Sequence, residues 1–89
     1  MAAMLLISHE VKDYDAWKKG FDDNAPARDA GGFELGFVGR DETRPNLVHA
    51  GFRVPSVEAA KAFLANPELK AAMAAAGVIG APDIRIVLT

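Results

Sequence analysis

Two spacings of apolar residues alternate along this chain, one typical of strands and one typical of helices. From Met4 to Val11 the residues are rich in Leu, Ile and Val, without Gly or Pro, which predicts a first strand. Side chains alternate in direction along a strand. One face of this strand would therefore carry Leu5, Ile7, His9 and Val11, and the other Met4, Leu6, Ser8 and Glu10.

The next segment predicts an amphipathic helix followed by a break. Asp13 is a favourable N-cap, and Tyr14, Trp17 and Phe21 recur at steps of three and four residues, a series that Ala25 and Arg28 can continue. Pro26 lacks the N–H that a helix interior needs, so the helix should kink or restart there. The restarted helix should reach Ala30 and end at Gly31 and Gly32, with Asn24 as its cap.

A second apolar run predicts a β-hairpin. Phe33, Leu35 and Phe37 are spaced two apart, which favours one face of a strand that stops near Arg40. A polar turn containing a proline follows, and Leu47 to Val54 then predicts a third strand. One face of the third strand would carry Val48, Ala50, Phe52 and Val54, and the other Leu47, His49, Gly51 and Arg53.

The last third of the chain predicts another interrupted helix and a final strand. Ser56 caps a helix to about Ala65, and Asn66 with Pro67 restarts it. The restarted helix should end at Gly77. Its apolar side would carry Leu69, Ala72, Met73 and Ala76. We expect a loop from Val78 to Pro82 and then a strand formed by Ile84, Ile86 and Leu88.

The order strand, helix, strand, strand, helix, strand predicts the fold class α+β. Two β–α–β halves describe a ferredoxin-like βαββαβ sandwich, a single domain over residues 1–89 in which helices cover one face of a four-stranded antiparallel sheet. The other face would expose Leu, Ile, Phe and Val side chains over more area than a monomer usually leaves in water. A chain this short hides only about 60% of its unfolded surface. We therefore expect a homodimer.

Composition narrows the partners of this domain. Ten basic and twelve acidic residues are interspersed, giving a formal charge of −2 and no basic stripe suited to nucleic acid. The chain has no cysteine, which excludes disulfides and thiolate chemistry. The apolar N-terminal segment, Met1 to Ile7, is too short to span a membrane and lacks the basic region of a signal peptide. We expect a cytoplasmic protein with no membrane partner.

The first helix and its flanks also resemble a known family. The run from Val11 to Lys18, then Phe21 with Asp22, Arg28, Gly31 with Gly32, and Pro67 to Lys70 is similar to the antibiotic-biosynthesis-monooxygenase-like (ABM-like) group of the dimeric α/β-barrel superfamily. The resemblance covers essentially the whole chain. It implies a homodimer whose two sheets pack face to face. The superfamily includes cofactor-free monooxygenases, isomerases and haem-degrading enzymes, so the resemblance does not imply one particular activity.

Two histidines are the first candidates for catalysis. His9 and His49 each lie within an apolar strand, where an ionisable group needs a partner or a role. If the first and third strands are neighbours, both side chains could lie close together on one sheet face. A general base with its partner is one interpretation, and a pair of structural histidines at a sheet end is the other. No ligand spacing indicates a metal site.

Two arginines are candidates for binding an anion. Arg53 shares the His49 face and is suited to hold a substrate anion or oxyanion, or to pair with Glu10 or Glu34. Arg28, near the helix break, has the same two interpretations. For both, a structural ion pair is the commoner outcome.

Aromatic residues on the first helix are candidates for binding a ligand. Trp17 and Tyr14 could wall a pocket between helix and sheet, although aromatics at helical spacing are more often core residues. The hydroxyl of Tyr14 needs a partner if it is buried.

Two functions follow from these observations. The first is an enzyme that acts on a small apolar or aromatic molecule without a bound cofactor, with His9 or His49 as base and Arg53 as charge stabiliser. The second is a non-catalytic dimerisation or ligand-binding module whose interior is filled by bulky side chains.

Overall fold

A computed structural model describes residues 3–89; residues 1 and 2, which the predicted domain includes, lie outside the described part. The sheet has four antiparallel strands in the order β2-β3-β1-β4, with four helices, which confirms the ferredoxin-like α+β fold. The elements are β1 Ala3–Val11, α1 Tyr14–Asp23, α2 Ala25–Ala30, β2 Glu34–Arg40, β3 Leu47–Val54, α3 Val57–Ala65, α4 Pro67–Ala75 and β4 Val78–Leu88.

The helices begin where polar side chains accept backbone N–H groups. Asp13 Oδ2 accepts from Ala16 N at 3.0 Å, and Ser56 Oγ accepts from Ala59 N at 3.0 Å. Asn66 Oδ1 accepts from the second residue of α4, next to Pro67. These three predicted caps are confirmed. The restart at Pro26 is confirmed as the short helix α2, but the side chain of Asn24, its predicted cap, makes no capping hydrogen bond.

The core lies between the helices and one face of the sheet, which we call the helix-side face. Every second residue of β1 is buried, as the alternation predicts. Leu5 and Val48 are fully covered. Helix α4 differs from the others because none of its residues is buried.

Strand β2 departs from its predicted alternation. The register shifts between Leu35 and Phe37, so Phe37 lies opposite Gly51 on the face away from the helices, and its ring fills the space that a Cβ on Gly51 would need. Gly36 permits the bulge because a Cβ there would lie 3.1 Å from the Gly51 carbonyl oxygen. The prediction that Phe33, Leu35 and Phe37 share one face is therefore wrong.

Strand β4 begins five residues earlier than predicted, at Val78 rather than at Asp83. Val78 and Ile79 pair with the end of β1, and the pairing resumes at Asp83 after an irregularity. Gly80, at φ 72°, lies within it. Glycine adopts this φ without strain, so the chain bulges here and the predicted loop is a continuation of the strand.

The second face of the sheet, which we call the open face, is covered by no helix within residues 3–89. Phe37 is 51% exposed there and Val87 is 41% exposed. None of the helices in the described part of the chain has the length and apolar character that crossing a bilayer requires.

Candidate functional site

A partly open cavity of about 70 Å³ lies between the helix-side face and the helices. Its floor includes Ile7 and Ala50, which pair across β1 and β3. Because alanine is small, this pair leaves space above the sheet. The remaining lining residues are His9, Trp17, Gly20, Phe21, Asn24, Arg28, Phe52, Phe63, Leu69, Ala72, Met73 and Ala76.

His9 is the titratable group at one end of this cavity. Only 8% of the residue is exposed, and its Nδ1 atom has no hydrogen-bond partner among residues 3–89. Its ring meets Trp17 edge to face, with centroids 5.3 Å apart. Burial lowers the pKa of His9, so the imidazole is neutral at pH 7 and can accept a proton.

An aromatic wall runs along helix α1 away from His9. Trp17 stacks on Phe21, with centroids 4.9 Å apart, and Phe21 lies 6.0 Å from Phe52 on the sheet. Trp17 is 3% exposed and belongs to the core, yet it also lines the cavity. The two interpretations of Trp17 are therefore compatible.

Arg28 lies at the other end of the aromatic wall. Its guanidinium carbon is 3.8 Å from the centroid of the Phe21 ring, and Nη1 donates to the Phe21 carbonyl oxygen at 2.8 Å. Burial lowers the pKa of Arg28, whereas the charges of Asp29 and Asp22 raise it. Arginine remains charged at neutral pH in any case.

Arg28 forms no ion pair with a carboxylate among residues 3–89, although only 7% of the residue is exposed. The structural ion pair expected for it is therefore not found. Burying a cation without an anion is costly. An anionic ligand in the cavity would remove that cost.

His49 does not join this cavity, because it lies on the open face. In the register of β1 and β3, His9 lies opposite Val48 and His49 lies opposite Ser8. The expectation that the two histidines share one face is wrong. Directly opposed residues of an antiparallel pair point the same way, so the two side chains project from opposite sides of the sheet.

His49 instead lies between Ser8 and Asp41. Its Nδ1 is 2.8 Å from Ser8 Oγ, and its Nε2 is 2.8 Å from Asp41 Oδ1. Asp41 Oδ2 also accepts from the Thr43 backbone, the Thr43 hydroxyl and the Arg44 backbone. The hydrogen bond with His49 is the largest of several contacts that lower the pKa of Asp41 from 3.8 to about 2. Because Asp41 closes the β2–β3 turn, we assign the cluster a structural role.

Two other predicted site residues also lie outside the cavity. Arg53 is exposed at the end of the sheet and lines a second cavity of about 470 Å³. It lies opposite Glu34 in the register, while Glu10 forms its ion pair with Arg44. Tyr14 stacks against Arg40, whose guanidinium carbon lies 4.2 Å from the centroid of the Tyr14 ring. We favour the smaller cavity as the site because, of these two cavities, it is the one that contains a buried base and a buried cation.

Sequence reasoning missed two kinds of residue. The pattern indicates Asn24 only as a helix cap and Met73 only as part of an apolar helix face, yet both line the cavity. The interrupted helices were the available signal, because a break bends a helix and exposes its end groups. Ser8 and Asp41 were missed because their contacts with His49 depend on the register and on the turn.

Metal ligands are not grouped in the described part of the chain. Residues 3–89 contain no cluster of three or more His, Asp or Glu side chains placed to hold a metal ion. The groups that face a ligand in the cavity are therefore one imidazole, one guanidinium, one amide and apolar side chains.

Solved structures of other proteins share this fold. A protein from Caulobacter crescentus named "putative antibiotic biosynthesis monooxygenase" is 22% identical, with a TM-score of 0.75 over 97% of this chain and 87% of that one. SnoaB, a cofactor-independent oxygenase from Streptomyces nogalater, is 18% identical, with a TM-score of 0.71 over 99% and 92%. A protein of unknown function from Nitrosomonas europaea is 17% identical, with a TM-score of 0.71 over 97% and 86%.

Comparisons of the amino-acid sequence alone identify no relative. No protein-family model and no curated protein matches the chain. At these identities the structural likeness establishes an ABM-like fold, and the activity is a separate question.

Proposed function

We propose that this protein binds a small apolar, aromatic molecule in the helix-side cavity and oxidises it with O₂, without a bound cofactor. The observation that carries the proposal is the buried His9, whose Nδ1 atom has no partner among residues 3–89 at the wall of an aromatic cavity. The shared fold of SnoaB, a cofactor-independent oxygenase, supports the same reaction class by analogy.

The proposed reaction converts a phenol into a quinone. The neutral imidazole of His9 accepts the phenol proton, and the resulting phenolate is electron-rich enough to give an electron to O₂. A bond then forms between the ring carbon and one oxygen atom, that carbon loses its hydrogen, and the second oxygen atom leaves as water. Phenol and O₂ thus give quinone and water. The protein contributes a base and holds the substrate ring in a fixed orientation within a mainly apolar site.

Each cavity residue has a defined part in this proposal. Trp17 and Phe21 orient the ring by stacking. Arg28 stabilises negative charge on the substrate, a part that the sequence pattern assigns to Arg53. His49 projects from the other face, Arg53 lines the other cavity, and neither serves a step.

Oxygen uptake tests this function. Purified protein is mixed with a panel of quinols and naphthols, and O₂ consumption and quinone absorbance are recorded. His9→Gln should lower the rate by about 10²-fold or more, the contribution typical of a general base. The matched control is His49→Gln, which should leave the rate near that of the wild type. Equal rates in both variants would exclude His9 as the base.

The protein is also proposed to act as a homodimer, joined through the open faces of two sheets. Apolar side chains on this face include Met4, Leu6, Phe37 and Val87. Burying apolar surface stabilises association by about 25 cal/mol per Å² before the cost of lost motion. Light scattering at micromolar concentration should report twice the monomer mass.

A non-catalytic ligand-binding or dimerisation module is the second candidate. The size of the cavity favours it: about 70 Å³ is small, whereas an enclosed apolar cavity that binds benzene measures about 150 Å³. Under this alternative, quinols bind without O₂ uptake, or do not bind at all. The oxygen-uptake experiment therefore separates the two functions.

A further inference from the structure

The cavity has two chemically different ends. Arg28 lies 5.8 Å from the centroid of the Phe52 ring, and Phe52 lies opposite Leu5 in the register. His9 lies four residues beyond Leu5 on β1, an offset of about 13 Å along the strand. A cation thus lies at one end of the cavity and a neutral base at the other.

The space between these ends is apolar and flat on one side. Ile7 and Ala50 lie midway as a cross-strand pair, and the rings of Trp17 and Phe21 form the wall. A planar ring fits such a surface because aromatic groups stack in offset or tilted arrangements. The middle of the cavity therefore selects a ring, and only its ends select polar groups.

Both ends have polar atoms without a partner in the described part of the chain. Arg28 is 93% buried and forms no ion pair with a carboxylate in residues 3–89; only its Nη1 donates to a group there, and its other nitrogens retain some contact with solvent. His9 is also more than nine-tenths buried, and its Nδ1 is unpaired within the same residues. Asn24 adds an amide to the lining. Two independent groups thus point to a ligand that is anionic at one end and hydroxylated at the other.

From this arrangement we infer that the cavity binds a single-ring aromatic carboxylic acid that carries a ring hydroxyl. The carboxylate pairs with the Arg28 guanidinium, the ring lies against Trp17 and Phe21, and the hydroxyl donates to His9. With a hydrogen bond of about 2.8 Å at each end, a ring that carries polar groups at both ends has a length comparable with this offset along the strand. The inference rests on the proposed function for the aromatic site and adds the charged end.

The partly open shape of the cavity admits such a ligand. A closed space of about 70 Å³ would not hold a substituted ring, but this cavity is only partly enclosed. Helix α4, which supplies Leu69 and Met73 to the lining, has no buried residue. Since few buried contacts hold this helix, we expect it to adjust when a ring enters.

Binding of three probe molecules tests each end separately. The probes are 4-hydroxybenzoate, benzoate and phenol. Trp17 is the sole tryptophan of the chain, so its fluorescence reports occupancy of the cavity, and calorimetry gives a second measurement. We expect 4-hydroxybenzoate to bind at least about tenfold more tightly than phenol, which lacks the hydrogen bond to the charged Arg28, and about threefold to tenfold more tightly than benzoate, which lacks the hydrogen bond to the neutral His9.

Variants then assign the ends. Arg28→Gln should weaken 4-hydroxybenzoate and benzoate by about tenfold or more and leave phenol unchanged. His9→Phe should weaken 4-hydroxybenzoate and phenol and leave benzoate unchanged. Arg53→Gln, outside the cavity, is the control and should change none of them. If Arg28→Gln does not fold, Arg28→Lys keeps the charge, and the wild-type ranking of the three probes still decides.

The outcomes separate this inference from the proposed function. Equal binding of the three probes to the wild type, or an equal loss of all three in Arg28→Gln, overturns the hydroxy-acid assignment. If quinols still drive O₂ uptake in that case, the proposed function stands alone. If no aromatic probe changes the Trp17 emission or releases heat, both are overturned.

Discussion

His9 and His49 lie on neighbouring strands and project from opposite faces of the same sheet. His9 has a buried Nδ1 atom, unpaired among residues 3–89, in an aromatic cavity, whereas both ring nitrogens of His49 lie 2.8 Å from side-chain oxygens. Two residues of the same type therefore have opposite energetic effects. Removing the first histidine relieves an unsatisfied group, and removing the second leaves two polar groups without their partner.

The first prediction concerns the stability of histidine variants. His9→Leu should raise the free energy of unfolding by about 1 kcal/mol, because the buried unpaired nitrogen is replaced by an apolar group. The same variant should lose oxygenase activity. His49→Leu should lower stability, since Ser8 and Asp41 lose their partner. Urea unfolding measures both, and a loss of stability in His9→Leu would contradict the assignment of Nδ1 as unsatisfied.

The second prediction concerns mild acid. Because burial lowers the pKa of His9 below its ordinary 6.5, the unfolded chain binds a proton before the folded chain does. The contribution of neutral His9 to the free energy of unfolding is therefore complete above pH 6.5, and it is lost as the pH decreases from 6.5 to the lowered pKa. His9→Gln should reduce this slope. Thermal melts at about pH 7.5, 6.5 and 5.5 compare the two proteins, and parallel curves would rule out a buried neutral His9.

A third prediction applies at lower pH. The folded pKa of Asp41 is about 2, against an ordinary value of 3.8, so its stabilising effect is present above 3.8 and disappears as pH falls from 3.8 to about 2. Asp41→Asn should be less stable than the wild type at about pH 6, and the difference should shrink towards about pH 2. Asp83→Asn provides the control, since Asp83 is exposed and its ion pair is with Arg85. A constant difference across this range would disprove the linkage.

The fourth prediction tests the proposed dimer. Phe37→Asp places a charge on the open face and should shift the protein towards monomer in light scattering and sedimentation. Leu35→Asp is a matched control, since Leu35 is 44% exposed on the same edge strand but faces the helix side. We expect the control to keep the mass of the wild type. Equal masses for all three proteins would mean that the open face is not the interface.

The fifth prediction concerns the end of helix α4. Gly77 has φ 90°, so Gly77→Ala should cost about 1–2 kcal/mol of stability, the penalty for a left-handed residue with a Cβ. Gly39→Ala should be nearly neutral, because a Cβ at this position would meet nothing within 4 Å and the φ of Gly39 is not positive. Chemical denaturation compares the two variants. A neutral Gly77→Ala would show that the turn tolerates a side chain.

The positions of several site residues could not be predicted from the local sequence pattern, because they depend on how distant segments pack. Helix breaks at Pro26 and Pro67 were predictable, because proline lacks a donor and fixes φ. The seven-residue spacing puts Arg28 on the same helix face as Phe21, but whether the guanidinium reaches the Phe21 ring and carbonyl oxygen depends on the bend at Pro26. The pattern also did not show that Arg53 lies outside the favoured cavity, because a strand pattern assigns faces but not what covers each face.

The amino-acid sequence by itself determined the order of the elements, the caps at Asp13, Ser56 and Asn66, and the buried alternation of β1, because these depend on periodicity and on neighbours a few residues apart. Only the tertiary structure decided the bulge at Gly36, the early start of β4 and the separation of the two histidines. Each of these depends on the register between strands far apart in the chain. A shift of one residue in that register reverses the direction of every side chain beyond it.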